Sequence, residues 1–190
     1  MPYREKLMAN AKKWGEEIFA SSIRILEVEY QKVERRNEAG QIFTDLFAQW
    51  EEFTKEKAAC LGICYLHTSI IMRTGEVRLT LYGKEVYMDI NQLEKSWQPP
   101  CFFQQYEQDM TMLMKKLRNE HPRIYPYEED AVRIWYAEYY YAALEVLCRD
   151  MQKELKEYEA FQRMNKTEDF YIFFGRWRGE AEKLLCIETI

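Results

Sequence analysis

The chain has 190 residues, 47% of them hydrophobic and 31% charged, and carries a formal net charge of −5. That is enough apolar material to close one substantial core, so a single domain spanning 1–190 is expected; long disordered stretches are excluded by a content of only 7 Gly and 5 Pro. The modest acidity, spread over both signs of charge, argues against a nucleic-acid binder, and neither a leader-like segment nor a run of about 20 apolar residues argues for export or a membrane span.

The segment from Tyr3 to Ala39 is helical in pattern, with Leu7, Ala11, Trp14, Ile18, Ile25, Val28 and Val33 recurring mostly three or four residues apart, and Gly40 reads as its stop. A second helix follows from Gln41 or Ile42 to about Lys57, carrying Phe43, Leu46, Phe47, Trp50 and Phe53 on one side. The period then shortens. Ile63–Arg73, Glu76–Tyr82 and Lys84–Met88 read as a three-stranded antiparallel meander, its middle strand alternating Val77, Leu79 and Leu81 with Arg78, Thr80 and Tyr82.

Asp89 or Asn91 is placed as the cap of a short helix ending near Ser96, before Pro99-Pro100. Helices are expected over Phe103–Asn119 and over Tyr127–Met164, the latter facing inward through Val132, Tyr136, Tyr139, Ala143, Leu147, Met151, Leu155 and Tyr158. Pro126 followed by Glu128-Glu129-Asp130 suits that helix's start, where carboxylates meet the positive end of the dipole. Phe170–Phe174 and Leu184–Ile187 form a terminal hairpin, unless Glu180–Lys183 opens a last helix. The fold expected is α+β, predominantly helical, with an N-terminal helix pair, a meander, a long helix and a terminal β-hairpin.

Five cysteines, Cys60, Cys64, Cys101, Cys148 and Cys186, sit in apolar runs and read as reduced thiols in a cytoplasmic protein. Cys60 and Cys64 have three residues between them, not two, and no second Cys or His pair at ligand spacing to complete a zinc site, and no phosphate-loop, dinucleotide, nucleophile-elbow or zinc-protease motif occurs. No metal ligand, cofactor or catalytic residue is assigned. Of the two histidines, His121 reads as a solvated helix end and His67 as part of a strand face. Counting by twos puts Tyr65, His67, Ser69, Arg73, Arg78, Thr80, Tyr82 and Tyr87 on the face of the meander opposite its apolar side. Such a face is either simply solvated or a recognition surface with Tyr and Arg anchors.

Trp135-Tyr136 and Tyr139-Tyr140-Tyr141 put rings around most of one helix, so either a second layer covers the far side or these phenols line a groove or an interface. Arg176-Trp177-Arg178, between Gly175 and Gly179, reads as a turn, with the option of touching a phosphate or an acidic partner.

The binding residues expected are thus Tyr65, His67, Arg73, Arg78, Tyr82, Tyr87, Tyr140 and Tyr141. The leading function is a non-enzymatic protein-binding module, in its most concrete form an immunity-type inhibitor covering a partner's active site. The partner would be another protein or a second copy of the chain. Two alternatives stand beside it: a binder of an aromatic or amphipathic small molecule in a Tyr- and Trp-lined cavity, and an enzyme using His67.

Overall fold

The computed structural model describes residues 3–88 and 90–186, omitting the side chains of Leu185 and Cys186. The chain is α+β with helix clearly exceeding strand. In order it runs α1 (Tyr3–Tyr30), α2 (Val33–Phe53), β1 (Ala58–Tyr65), α3 (His67–Ile71), β2 (Val77–Tyr82), β3 (Gln92–Trp97), α4 (Phe102–Glu120), α5 (Pro126–Leu155), α6 (Glu159–Arg163), β4 (Lys166–Arg176) and β5 (Ala181–Cys186). Among the described residues no helix is long and apolar enough to cross a membrane.

The strands form one sheet in the order β3-β2-β1-β4-β5. Every neighbouring pair is antiparallel except β1 and β4, which run parallel at its centre. Leu61 and Ile63 of β1, Val77, Leu79 and Leu81 of β2, and Phe170, Ile172 and Phe174 of β4 join the main core with residues of α1, α2, α4 and α5. The opposite face carries a smaller cluster, Cys60, Cys64, Tyr82 and Phe173, to which no helix contributes.

Several elements differ from the sequence expectation. The first helix ends at Tyr30 rather than Ala39, where Lys32 takes an extended conformation, and Gly40 lies inside α2. Gly40 is there for space: a side chain would run into the Tyr158 ring. Leu66–Met72 leaves the strand for a short helix, and Lys84–Met88 is a strap rather than a strand. The third strand is Gln92–Trp97, where a short helix is expected from the sequence; Leu93, Lys95 and Trp97 point to the helical side through pairing with Leu81, Leu79 and Val77. Asp89, named as a cap, lies outside the described residues.

The long helix stops at Leu155 and a separate turn, α6, follows. Its buried side includes Tyr140, Tyr141, Leu144 and Cys148, while Tyr139, Ala143 and Leu147 are only half buried. The start of α5 follows the expected chemistry, with Pro126 in the first turn and Glu128 Oε2 accepting the Tyr125 N–H at 2.9 Å. β4 and β5 form a hairpin that extends the same sheet, with bounds that differ from the expected ones: β4 is longer than Phe170–Phe174, the return strand starts at Ala181, and Ile187, expected at its end, lies outside the described residues.

Candidate functional site

The side of the sheet away from the helices is where the sequence-predicted Arg78, Tyr82 and Tyr87 meet. β2 brings Arg78, Thr80 and Tyr82 to it by simple alternation. β1 contributes Cys60, Gly62 and Cys64, and β4 contributes Tyr171 and Phe173. The Phe173 ring lies on Gly62, where any side chain would collide with it. The strap after β2 folds back over this floor, with Tyr87 in the left-handed conformation at φ 64 and its ring edge-on to Tyr82 at 5.9 Å and to Trp177 at 5.2 Å.

Trp177 follows β4 and is tied to the sheet's centre by its N–H, which donates to the Tyr65 carbonyl at 3.1 Å. The Arg78 guanidinium lies 4.7 Å from the Trp177 ring centroid and Arg178 lies 5.9 Å from it, while Lys183 Nζ lies 4.3 Å over Tyr171. Glu94, on the edge strand, pairs with Arg78 at 3.2 Å. Tyr82 is fully buried, whereas Trp177, Tyr87 and Tyr171 remain half-exposed and Arg178 and Lys183 exposed. The surface therefore presents aromatic rings flanked by cations above a sealed floor. Burial raises the Cys64 thiol to about 11 and the Tyr87 phenol to about 12, so both stay protonated near neutrality; their contact is 3.6 Å.

The remaining expected residues lie elsewhere. Tyr65 faces the helices, stacked on Tyr141 with centroids 3.9 Å apart, and His67 stands at the start of α3 with Nε2 3.2 Å from Glu138 Oε1. Arg73 pairs with Glu129, which also holds Arg118 at 2.9 Å. His121 is buried rather than solvated, between Asn10 at 3.1 Å and the Tyr3 ring.

Tyr140 belongs to a sealed polar knot. Asp109 of α4 is fully buried and accepts hydrogen bonds from Tyr136 and Tyr140 hydroxyls at 2.7 Å each, from Ser22 at 2.7 Å and from Gln105 at 3.1 Å. These donors come from α1, α4 and α5, so one carboxylate fixes three helices in register. Next to it Arg133 is buried against Glu107 and lies over the Tyr106 ring, whose hydroxyl donates to the Arg133 carbonyl at 2.9 Å. The sequence contains no spacing that announces this knot.

Among the described residues no group of three or more His, Cys, Asp or Glu side chains is arranged to hold a metal ion. Cys64, Cys101 and Cys148 are free thiols. Comparison with protein-family models finds no matching family, and comparison with curated proteins and with solved structures finds no match.

Proposed function

We propose that the chain is a non-enzymatic protein-binding module that engages its partner through the helix-free face of the sheet. The observation that carries this reading is Trp177, half-exposed and flanked by Arg78 and Arg178 with Tyr87 at its edge. Trp, Tyr and Arg are the side chains that most often dominate binding energy at protein interfaces, and here they stand on a rigid floor that costs little ordering on contact. The sheet's edges are poor alternatives: β3 carries Gln92, Glu94 and Lys95, and β5 carries Glu182 and Lys183, charges that discourage strand addition.

Three cations around the rings select an acidic segment on the partner, although the chain as a whole has net charge −5. An immunity-type inhibitor that covers a partner's active site is the most specific form of this reading. It is tested by purifying the intact chain and its Trp177→Ala variant from the source cells after nuclease treatment, with mass measurement of the intact complexes. A stoichiometric protein partner on the wild type, lost from the variant, is expected. A wild-type chain that emerges alone, or a partner retained undiminished by the variant, overturns the reading.

An enzymatic alternative rests on His67 beside Glu138, a pairing that orients an imidazole for proton transfer. A His67→Ala variant that folds and keeps every measurable activity removes it.

A further inference from the structure

A second surface lies on the other side of the molecule, where α1 and α5 diverge beyond the Asp109 knot. There they leave a groove of about 470 Å³ floored by Leu26, Phe102, Leu147 and Met151, with Val146 on its lip. That volume is within the usual range of about 300–1,000 Å³ for small-molecule sites, and the apolar floor with a polar rim is their usual chemistry. The knot one helical turn away fixes α1 and α5 relative to each other, so the groove is formed before any ligand arrives.

The rim decides the ligand's sign. Arg36 is already paired with Glu154, and Lys153 with Asp150 at 3.2 Å. Glu27, exposed on the α1 side, has no cationic partner among the described residues. The lining thus holds three carboxylates against two cations, and the one without a counter-ion is negative. Tyr30, only 7% exposed, also lines the groove, and its hydroxyl is buried without a hydrogen-bond partner. A ligand bearing a positive N–H head and an apolar tail matches both the free carboxylate and the floor.

We propose that the α1/α5 groove is a binding site for an aliphatic amine, its hydrocarbon chain on Leu26, Leu147 and Met151 and its ammonium group at Glu27. This site is separate from the helix-free face and stands or falls independently of the protein-binding reading. Aromatic lining is sparse here: Tyr30 and Phe102 contribute rings, and the lining contains no tryptophan.

The test is calorimetric titration of the full chain with octylamine, decylamine and dodecylamine below their aggregation concentrations, against the matched carboxylates. One-to-one binding of the amines is expected, tightening about fourfold per methylene, which is about 0.8 kcal/mol converted at room temperature. An Ala143→Phe variant fills the floor and is expected to abolish binding. Should that variant fail to fold, Glu27→Lys, at an exposed position, supplies the decision: amine affinity is expected to drop at least about threefold to fivefold and the carboxylates to gain. Absence of saturable amine binding, equal binding of amines and carboxylates, or an unchanged preference in Glu27→Lys overturns the assignment.

Discussion

The two faces of the one sheet are built to opposite ends. On the helical side Leu61, Ile63, Leu79, Leu81, Ile172 and Phe174 vanish into a core closed by α1, α2, α4 and α5, and the polar groups behind them are paired around Asp109. On the other side a small floor of Cys60, Cys64, Tyr82 and Phe173 is roofed by a strap and by Trp177, and its cations remain at the surface. The difference teaches where to separate stability from function. Changes on the helical side are expected to unfold the chain, whereas changes at the rings of the other side are expected to weaken binding and leave the fold intact.

The largest effect is expected from Asp109→Ala. It strips the acceptor from four donors, three of them buried hydroxyls that each cost about 1–3 kcal/mol when left without a partner, so a loss of at least about 3 kcal/mol is expected. Urea denaturation followed by circular dichroism reads this directly. A loss below about 1 kcal/mol would show that the knot does not hold the helices together. Tyr140→Phe removes one of the four donors and is expected to cost about 1–2 kcal/mol by the same measurement.

Alkaline pH probes both faces at once. Burial raises the phenols of Tyr106, Tyr136, Tyr140 and Tyr141 on the helical side and of Tyr82 on the other, so in each case folding favours the protonated form. Their stabilising contribution is complete below the unfolded tyrosine value of about 10 and is lost as pH rises above it. Unfolding and tyrosine ionisation, followed by ultraviolet absorbance, are therefore expected to occur together above about pH 10. Independent ionisation of these rings in a chain that stays folded would contradict their burial. A smaller effect concerns Cys64: with its thiol raised to about 11, it is expected to resist alkylation in the native chain at pH 8, as read by mass spectrometry of the labelled peptides.

The sequence revealed the helix-free face only where one face of a strand is apolar and the other is not. β2 alternates, so its pattern places Arg78, Thr80 and Tyr82 on one face. β1 is central and buried on both sides, and its run Cys60-Leu61-Gly62-Ile63-Cys64 has no alternation to read. Counting by twos therefore fails for Tyr65, which faces the helices, and for His67, which opens α3 instead of continuing the strand. The parallel pairing of β1 with β4 depends on residues about a hundred positions apart, and no local pattern encodes it. Trp177 was visible as part of a turn motif, but its place against Arg78 follows only from that pairing. The signal for β3 was present in Leu93, Lys95 and Trp97 at every second position, and a capping pattern at Asn91 obscured it. The Asp109 knot joins four side chains from three helices and left no trace in spacing.

In the proposed binding mode the half-exposed Trp177 of the helix-free face is the partner's anchor. Once the partner is isolated, its affinity for the wild-type chain and for Trp177→Ala is to be compared by calorimetry, with the stability of both chains measured alongside. A loss of about 30-fold or more in affinity, equivalent to about 2 kcal/mol, with the urea midpoint nearly unchanged, is the predicted result. Affinity preserved within about twofold in a folded variant would contradict the account.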